Sequence, residues 1–349
     1  MPVRANKGVP VEKTYPTVAA LTPSSTTNFA LDVTSLIEEV RFRFTASCVL
    51  AGCGAAPTLR AESLENFFSS IQFLGNAKVN GADAVQFSNV DASYLRFKES
   101  LIRNTLPKRT NMGTANATFA VESNFTKFFS GKGLKNISDA FFLDTRKLQS
   151  LNVAFTTRDI GAFVDPATLD GGTLTVNTPQ VSVHTVGWQG GQIATGAPYI
   201  KEVTRKFSLA NLTGLAVPFL NMPVSNIITR QTFKATSGNT DYADPTDATF
   251  SSPQPAGAII ATKVTGAGGD KTPLSMSYAH MQAYDKVRAK LENWPVGYAT
   301  YAYSRTGLLE DALSMKGIIT GENDIDIVPP GGGATNTLYI TDEQVVANN

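Results

Sequence analysis

The chain has 349 residues, of which 17% are charged, and its formal net charge is +1. The length allows two domains with separate cores. The low charge content excludes a disordered tail, and together with frequent glycine and proline it favours a β-sandwich or barrel over a helical bundle. Because the net charge is close to zero, nothing supports a sequence-specific or bulk nucleic-acid partner.

Residues 1–25 show no usable periodicity and are interrupted by prolines. We expect an N-terminal arm that is either flexible or ordered by a neighbouring subunit or a charged surface. The arm lacks the apolar core of a signal peptide, so we expect the protein to stay in the cytoplasm of the cell that makes it. The basic residues of the arm are Arg4, Lys7 and Lys13.

Alternating apolar and polar side chains dominate residues 26–187. In Val40–Thr45, one valine and two phenylalanines alternate with two arginines and a threonine. This period of two predicts a strand with one buried face. Asn80-Gly81 is predicted to form a hairpin turn, because both residues tolerate positive φ. Further strands are predicted at 71–73, 119–121, 151–155, 174–176 and 181–183.

One helix is predicted in each half of the chain, from apolar residues at spacings of three and four. The first should be capped by Asn89 or Asp91 and end before Pro107. Its apolar stripe is Val90, Tyr94, Phe97 and Leu101. The second should place Asp285, Lys286, Arg288 and Lys290 on its polar face and end at Pro295. Its apolar stripe is Met281, Tyr284, Val287, Leu291 and Trp294.

An uncharged, glycine-rich stretch, 187–198, separates the two halves. We expect it to be a connector packed between domains and anchored by Trp188 and Ile193, since glycine and proline disfavour a helix or a central strand. Strands return beyond it, at 226–233, 259–262, 301–303, 325–327 and 338–340.

The expected organisation is therefore an arm (1–25), a first sandwich (26–187), a connector (188–201) and a second sandwich (202–349). Strand-rich halves of this size predict an all-β fold, namely two tandem eight-stranded jelly-roll sandwiches with one amphipathic helix in each.

The residues offer little catalytic chemistry. His184 and His280 have no Cys or His neighbour at a metal-ligand spacing, so both are interpreted as structural. Cys48 and Cys53 could close a small loop, but two thiols are too few for a closed zinc site, and we expect free thiols in a reducing compartment. We predict no catalytic residue, no cofactor and no metal.

Two segments resemble functional motifs in part. Gly266–Thr272 ends like a phosphate-binding loop, but Asp270 replaces the required glycine, so we predict a glycine-rich hairpin or loop. Asp324 and Asp326 would project from one face of a strand, about 6–7 Å apart. Such a pair could serve glycoside hydrolysis or bind calcium, although charges at a strand edge or in a loop are the interpretation that we favour.

Several segments, in order along almost the whole chain, carry a family resemblance. The clearest is a basic amphipathic helix, Tyr284–Leu291, followed by Trp294-Pro-Val-Gly-Tyr298 and a strand. The others are 15–16, 29–34, 40–45, 148–155 and 181–183. In these segments the chain resembles the double jelly-roll major capsid proteins of membrane-containing, tectivirus-like bacteriophages, the lineage that includes adenovirus hexon.

This resemblance implies a structural protein of an icosahedral virion rather than an enzyme. It implies homotrimers with a pseudo-hexagonal outline, whose partners are neighbouring trimers, minor capsid proteins and vertex proteins. It also implies an internal lipid membrane, which the arm residues Arg4, Lys7 and Lys13 would face, and assembly in the host cytoplasm. Three chains that each carry two similar domains would present six similar sides, which would explain why the domain occurs twice in the chain.

Two other classes of function remain open from the sequence. An adhesin or carbohydrate-binding protein with two sandwiches would have an export signal and clustered aromatic residues in loops. A β-sandwich glycosidase would use Asp324 or Asp326 and would lose activity when either carboxylate is substituted.

Overall fold

The computed structural model describes residues 6–59, 62–77, 85–105, 107–132, 141–192, 197–208, 217–219, 226–236, 259–266, 268–289, 298–304, 308–326 and 337–347. The chain divides into two compact units. Unit 1 consists of residues 1–133, 137–202 and 347–349, and unit 2 of residues 134–136 and 203–346. No helix in the described ranges is both long enough and apolar enough to cross a membrane.

Unit 1 is built mainly of antiparallel strands. Its helices are α1 (Ser63–Asn66) and α2 (Ala92–Arg103), with short 3-10 turns at Thr145–Lys147, Ile160–Ala162 and Pro166–Thr168. Its strands are β1 (Asn6–Thr14), β2 (Ala19–Ala20), β3 (Thr26–Leu31), β4 (Leu36–Ala51), β5 (Phe68–Ala77), β6 (Val85–Val90), β7 (Arg109–Thr110), β8 (Thr118–Phe128), β9 (Leu143–Asp144), β10 (Leu148–Thr157) and β11 (Thr173–Gln192). The next strand, β12 (Pro198–Ser208), spans the boundary between the units.

The strands of unit 1 form the two sheets of a jelly roll. One sheet has the order β1-β11-β4-β8, with β2 also paired to β11, and the other has the order β3-β10-β5-β6. If β1 and β2 together count as the first of eight strands, the orders are 1-8-3-6 and 2-7-4-5. The helix α2 lies between the fifth and sixth strands.

Unit 2 repeats this connectivity. Its helix is α3 (Tyr278–Ala289), with a 3-10 turn at Leu309–Asp311. Its strands after β12 are β13 (Val217–Phe219), β14 (Ile227–Thr236), β15 (Ile259–Gly266), β16 (Gly269–Ser277), β17 (Tyr298–Ala302), β18 (Leu313–Ser314), β19 (Ile318–Asp326) and β20 (Thr337–Ala347). The orders β12-β20-β14-β17 and β13-β19-β15-β16 are again 1-8-3-6 and 2-7-4-5, with α3 between the fifth and sixth strands. The predicted eight-stranded jelly rolls are confirmed, and in each of them a helix lies between the fifth and sixth strands.

Phenylalanine rings fill the core of unit 1. The ring of Phe68 lies 5.2 Å from that of Phe44, 5.5 Å from that of Phe125 and 6.1 Å from that of Phe155, with edge-on geometry in each case. Such contacts add about 0.5–1.5 kcal/mol per pair to the burial of the rings. The predicted alternation in β4 is confirmed, because Phe44 is fully buried whereas the Arg43 side chain is 58% exposed.

The first helix follows its prediction. Asp91 caps α2, since its Oδ1 accepts a hydrogen bond from Tyr94 N at 2.6 Å. The helix ends at Arg103, and Asn104 follows with a φ of 53°, before Pro107. The predicted hairpin turn Asn80-Gly81 lies outside the described residues.

The N-terminal segment contains regular structure that the sequence analysis did not predict. Residues 6–14 form β1, which pairs with β11 at the edge of its sheet. Pro10 is tolerated because an edge strand leaves one row of backbone groups unpaired. Gly8 lies opposite Gly190 with a φ of +80°, and an added Cβ would lie 2.2 Å from Gln189 O. Of the two expected alternatives, a flexible arm is therefore wrong for 6–14, which are the first strand of the jelly roll, and ordering by a neighbouring subunit or a charged surface stays a prediction.

The glycine-rich stretch 187–198 is also largely strand. Residues 187–192 complete β11 and pair with both β4 and β1. The ladder shifts register at Gly187, where an added Cβ would lie 1.9 Å from Leu36 O. Glycine here allows two backbones to approach closely, so the prediction of a connector outside the sheets is wrong for 187–192.

The two residues expected to anchor the connector have different outcomes. Trp188 belongs to β11, opposite Leu36 and Pro10, and Ile193 lies outside the described residues. The boundary between the units falls inside β12, between Glu202 and Val203. The limits expected from sequence, 26–187 and 202–349, stay predictions.

Candidate functional site

The basic residues of the N-terminal segment are placed unequally. Lys13 lies near the end of β1, and its ammonium group pairs with the carboxylate of Asp32 and lies 5.0 Å from the ring centre of Tyr15. The hydrogen bond with Asp32 raises the pKa of Lys13. Lys7 belongs to β1, and Arg4 lies outside the described residues. Lys13 therefore already has an anionic partner within its own unit.

The two histidines make local contacts. His184 Nδ1 lies 2.8 Å from Thr14 Oγ1, and its Nε2 lies 3.6 Å from a carboxylate oxygen of Glu12, which ties β11 to β1. His280 Nδ1 lies 2.8 Å from Ser277 Oγ at the start of α3. The described residues contain no group of three or more His, Cys, Asp or Glu side chains able to hold a metal ion.

The other residues considered for catalysis or ligand binding lie in the strands of unit 2 and at two cysteines of unit 1. Asp324 and Asp326 belong to β19 and pair through the backbone with Ala261 and Ile259. Gly266 and Gly269 pair at the end of the β15–β16 hairpin, which agrees with the predicted glycine-rich hairpin, and Gly269 has a φ of +80°. Cys48 and Cys53 are free thiols, and burial raises the pKa of Cys48 to about 11, which makes that thiol a poor nucleophile at neutral pH.

Buried charges tie α2 to the strands of unit 1. Glu202 is completely buried, and its carboxylate accepts hydrogen bonds from Lys127 Nζ at 2.6 Å, from Tyr94 OH at 3.0 Å and from Lys98. Lys127 Nζ also donates to Ile200 O at 3.1 Å and to Phe128 O at 3.0 Å. Because two bases and a hydroxyl surround one acid, this is a saturated structural site rather than a reactive carboxylate.

A second buried acid, Glu39 on β4, lies among three bases. Its oxygens accept from Arg41 Nε at 2.9 Å, from Lys132 Nζ at 3.1 Å and from Arg103 Nη2 at 3.5 Å. Burial opposes its ionisation, but the charge of Lys132 and the hydrogen bonds from Arg41 and Lys132 outweigh burial and lower the pKa of Glu39. Glu39 is therefore an ionised acid that anchors the end of α2.

Glu99, one turn before Arg103 on α2, behaves differently. Its Oε1 pairs with Arg103 Nε at 3.2 Å, and its buried Oε2 has no hydrogen-bond partner among the described residues. Burial raises the pKa of Glu99. The charge of Arg103 lowers this pKa in part, and the neighbouring charge of Glu39 raises it further. The sequence did not predict these buried charges, and the available signal was the pair of consecutive charged residues, 98 and 99, beside the apolar stripe of a short helix.

A polar network crosses the interior of unit 2. Gln231 Nε2 donates to Asp342 Oδ1 at 2.7 Å and to Asn323 Oδ1 at 3.2 Å. Asn323 Nδ2 in turn donates to Thr262 Oγ1 at 2.9 Å. Since Gln231 and Asp342 belong to one sheet and Thr262 and Asn323 to the other, hydrogen bonds as well as apolar contacts join the two sheets.

Tyr303 and Arg205 complete the network. Tyr303 OH lies 2.7 Å from Thr262 Oγ1 and donates to Gln231 Oε1 at 2.7 Å. Burial raises the pKa of Tyr303 above its usual range, so the hydroxyl stays protonated and remains a donor. Arg205 Nε donates to Asp342 Oδ2 at 2.7 Å, which pairs the buried charge. The members of this network bond to one another, and the network fixes how the two sheets face each other.

The helix α3 buries a different face from the one predicted. Met281 is buried, but Tyr284 and Val287 are 64% and 81% exposed. Asp285, expected on the polar face, is buried, and its Oδ2 accepts hydrogen bonds from Thr300 N at 2.8 Å and Thr300 Oγ1 at 2.5 Å. The predicted stripe is wrong for Tyr284 and Val287, because this anchor to β17 orients the helix.

Gln282 supports the same orientation, since it is buried and its Nε2 donates to Tyr298 O at 2.8 Å. The predicted stripe residues Leu291 and Trp294, and Pro295 after them, lie outside the described residues.

A cavity of about 200 Å³ adjoins the exposed ring of Tyr284. Besides Tyr284, its apolar lining comes from Met276, Met281, Tyr301 and Ala302. The polar lining is Asp285 and Thr300, which bond to each other. Unit 2 therefore presents the exposed ring of Tyr284 at an apolar hollow, with the exposed Val287 one helical turn further along α3, which is an arrangement typical of protein contact surfaces.

Comparison with known proteins identifies the fold. No protein-family model matches the chain, and no curated protein matches its sequence. Among solved structures, the major capsid protein of Sulfolobus turreted icosahedral virus matches with a TM-score of 0.69 and 12% sequence identity, over 98% of each chain. The major capsid protein P2 of bacteriophage PM2 matches with a TM-score of 0.57 and 12% identity, also over 98% of each chain.

A third match is the capsid of the virus PBCV-1, with a TM-score of 0.56 and 10% identity, over 97% of this chain and 93% of the other. Coverage of this extent includes both units and both helices. The chain therefore has the double jelly-roll fold of these capsid proteins, as the resemblance in the sequence implied.

Proposed function

We propose that this chain is the major capsid protein of an icosahedral virus. The observation that carries the proposal is the match of the whole chain, at a TM-score of 0.69, to a major capsid protein in which both jelly rolls are present. The doubling supports it physically. Three chains with two similar domains each present six similar sides, so a single gene product can tile a shell.

The chemistry within the described residues fits this structural role. The acids Glu39 and Glu202 are bonded to bases, and the polar network of unit 2 is closed on itself. These contacts stabilise the two units, which suits a protein that builds a shell. The partners that we propose are two further copies in a homotrimer, neighbouring trimers, and minor capsid and vertex proteins, within a virion assembled in the host cytoplasm.

Electron microscopy tests the proposal. Particles purified from the source of this sequence should be icosahedral, and mass spectrometry should identify this chain as their most abundant protein. Particles that lack the chain, or a chain that is abundant only in soluble fractions without particles, would contradict a major capsid role.

We also propose that Arg4, Lys7 and Lys13 face an internal lipid membrane. Each basic residue near anionic headgroups contributes about 1 kcal/mol of attraction. Lys13 already pairs with Asp32, so Arg4 and Lys7 should contribute more. Deleting 1–14 would remove β1, so point substitutions are the cleaner test.

The membrane test compares two variants that lose the same charge. Arg4→Ser/Lys7→Ser should reduce co-flotation with vesicles that contain phosphatidylserine. The matched variant Lys271→Ser/Lys316→Ser, at exposed positions in unit 2, should not. Equal flotation of both variants and the parent would refute the contact of the N-terminal segment with lipid.

A further inference from the structure

We propose that the outer face of α3, formed by Tyr284 and Val287 beside the adjoining cavity, binds a second copy of this chain. The structure assigns as its occupant the acidic link between β10 and β11 of that copy, centred on Asp159 and Ile160. This inference rests on the proposed function, because it names a contact within the proposed trimer.

The helix α3 has an unusual orientation. Tyr284 and Val287 lie one helical turn apart and are among the most exposed large apolar side chains of the described residues. The polar residues Gln282 and Asp285 take the inner positions and are fully hydrogen-bonded there. A helix whose apolar pair points outward, next to an apolar hollow, is expected to bury that pair against another molecule.

The exposed face of α3 is basic in character. Residues 278–289 contain one acid, Asp285, which is buried and bonded to Thr300. Lys286 and His280 are exposed. The apolar pair is therefore bordered by basic side chains, and a partner should offer an apolar side chain bordered by carboxylates.

Unit 1 contains a segment of this kind between β10 and β11. Ile160 is 38% exposed and directly follows the exposed Asp159. Residues 159–170 contain three acids and no base. The preceding Arg158 is engaged within its unit, where its Nη1 donates to Asn66 O at 3.1 Å. This link thus has the apolar and acidic character that the face of α3 requires.

The geometry of assembly agrees with a contact of this kind. A contact between unit 2 of one copy and unit 1 of another joins two different surfaces, and such head-to-tail contacts form a ring when the rotation between successive copies closes. Three copies related by a threefold axis would each use both surfaces once. The same contact would therefore occur three times in one trimer, which multiplies its effect on stability.

The test begins with apolar substitutions and measures trimer dissociation on dilution by native mass spectrometry. Tyr284→Ser/Val287→Ser should raise the concentration at which the trimer dissociates by about tenfold or more. The matched variant Ile319→Ser, at a position that is 71% exposed in the same unit but outside the cavity, should leave it unchanged. Circular dichroism should show that all variants fold.

Charge reversal tests the occupant. Lys286→Glu and Asp159→Lys should each weaken the trimer by about tenfold, and the double variant should recover to within about threefold of the parent. Additive weakening in the double variant would overturn the 159–170 link as the occupant. A trimer that the α3 substitutions do not weaken would overturn the contact while leaving the capsid role intact, whereas a monomeric parent would overturn both.

Discussion

Lys127 Nζ lies 2.6 Å from Glu202 Oε2, and both side chains are completely buried in unit 1. Removing either charge of this buried ion pair would leave the other charge buried without a counter-charge, which is strongly destabilising. Lys98 pairs with the same carboxylate from α2. Glu202 therefore joins a helix and two strands at one point.

Loss of this carboxylate should be costly. Glu202→Gln is expected to lower the free energy of unfolding of unit 1 by about 3–5 kcal/mol, since two lysines lose their counter-charge. Urea unfolding followed by circular dichroism measures the change. Lys13→Gln is the control, because its pair with Asp32 is half exposed and should contribute no more than about 1 kcal/mol. Similar losses for both variants would contradict the buried site.

Glu99 should make unit 1 sensitive to pH. Because burial raises the pKa of this carboxyl, the folded state binds its proton more tightly than the unfolded state, and stability falls as the pH rises through that pKa. Glu99→Gln is thus expected to raise the free energy of unfolding at neutral pH by on the order of 1 kcal/mol. The gain should vanish as the pH falls below the ordinary glutamate pKa near 4.5.

Glu39 should show the opposite dependence. Its pKa is lowered in the folded state, so its contribution is present above the ordinary value and is lost as the pH falls through the lowered one. Glu39→Gln should therefore destabilise unit 1 at neutral pH, and the loss should shrink in acid. Thermal unfolding from pH 3 to 8 distinguishes the two carboxylates. If both substitutions changed the stability at neutral pH in the same direction, the opposite roles of Glu39 and Glu99 would be refuted.

The polar network of unit 2 should be cooperative. Tyr303→Phe removes a hydroxyl that contacts Thr262 and Gln231, and it is expected to lower the free energy of unfolding by about 1–3 kcal/mol. Thr262→Val should cost a similar amount, and the double variant less than the sum of the two. A double-mutant cycle with no coupling energy would show that the two hydroxyls act independently.

Gly8 tests the N-terminal strand. Gly8→Ala would place a Cβ against Gln189 O and should detach β1, seen as loss of hydrogen-exchange protection in 9–14. Gly171→Ala is the matched control, because its φ is +78° but no atom lies within 4 Å of an added Cβ, so it should cost about 1 kcal/mol and leave β1 protected. Retained protection in Gly8→Ala would contradict the pairing of β1 with β11.

The sequence predicted the features that depend on local periodicity. The alternation in β4 and the cap of α2 at Asp91 are properties of neighbouring residues, and the structure confirms them. β1 was missed because Gly8 and Pro10 interrupt its pattern, although both are compatible with an edge strand. Pairing with β11, at least 170 residues away, makes that segment a strand.

The misplaced face of α3 has a related cause. Hydropathy assigns Tyr284 to the core, whereas the hydrogen bonds of Asp285 with Thr300 orient the helix, and they form only in the folded chain. Likewise, the partners of Glu202 lie 75 and 104 residues away, so no window along the sequence contains the site. Local patterns thus predicted the jelly rolls, while the exposed face emerged from contacts between distant residues.

Native mass spectrometry of the purified chain tests the capsid role most directly. A capsid trimer should give a stable species at three times the chain mass of 37.2 kDa, maintained on dilution to low micromolar concentration. A monomer at every concentration, with the circular dichroism spectrum of a folded β protein, would contradict it.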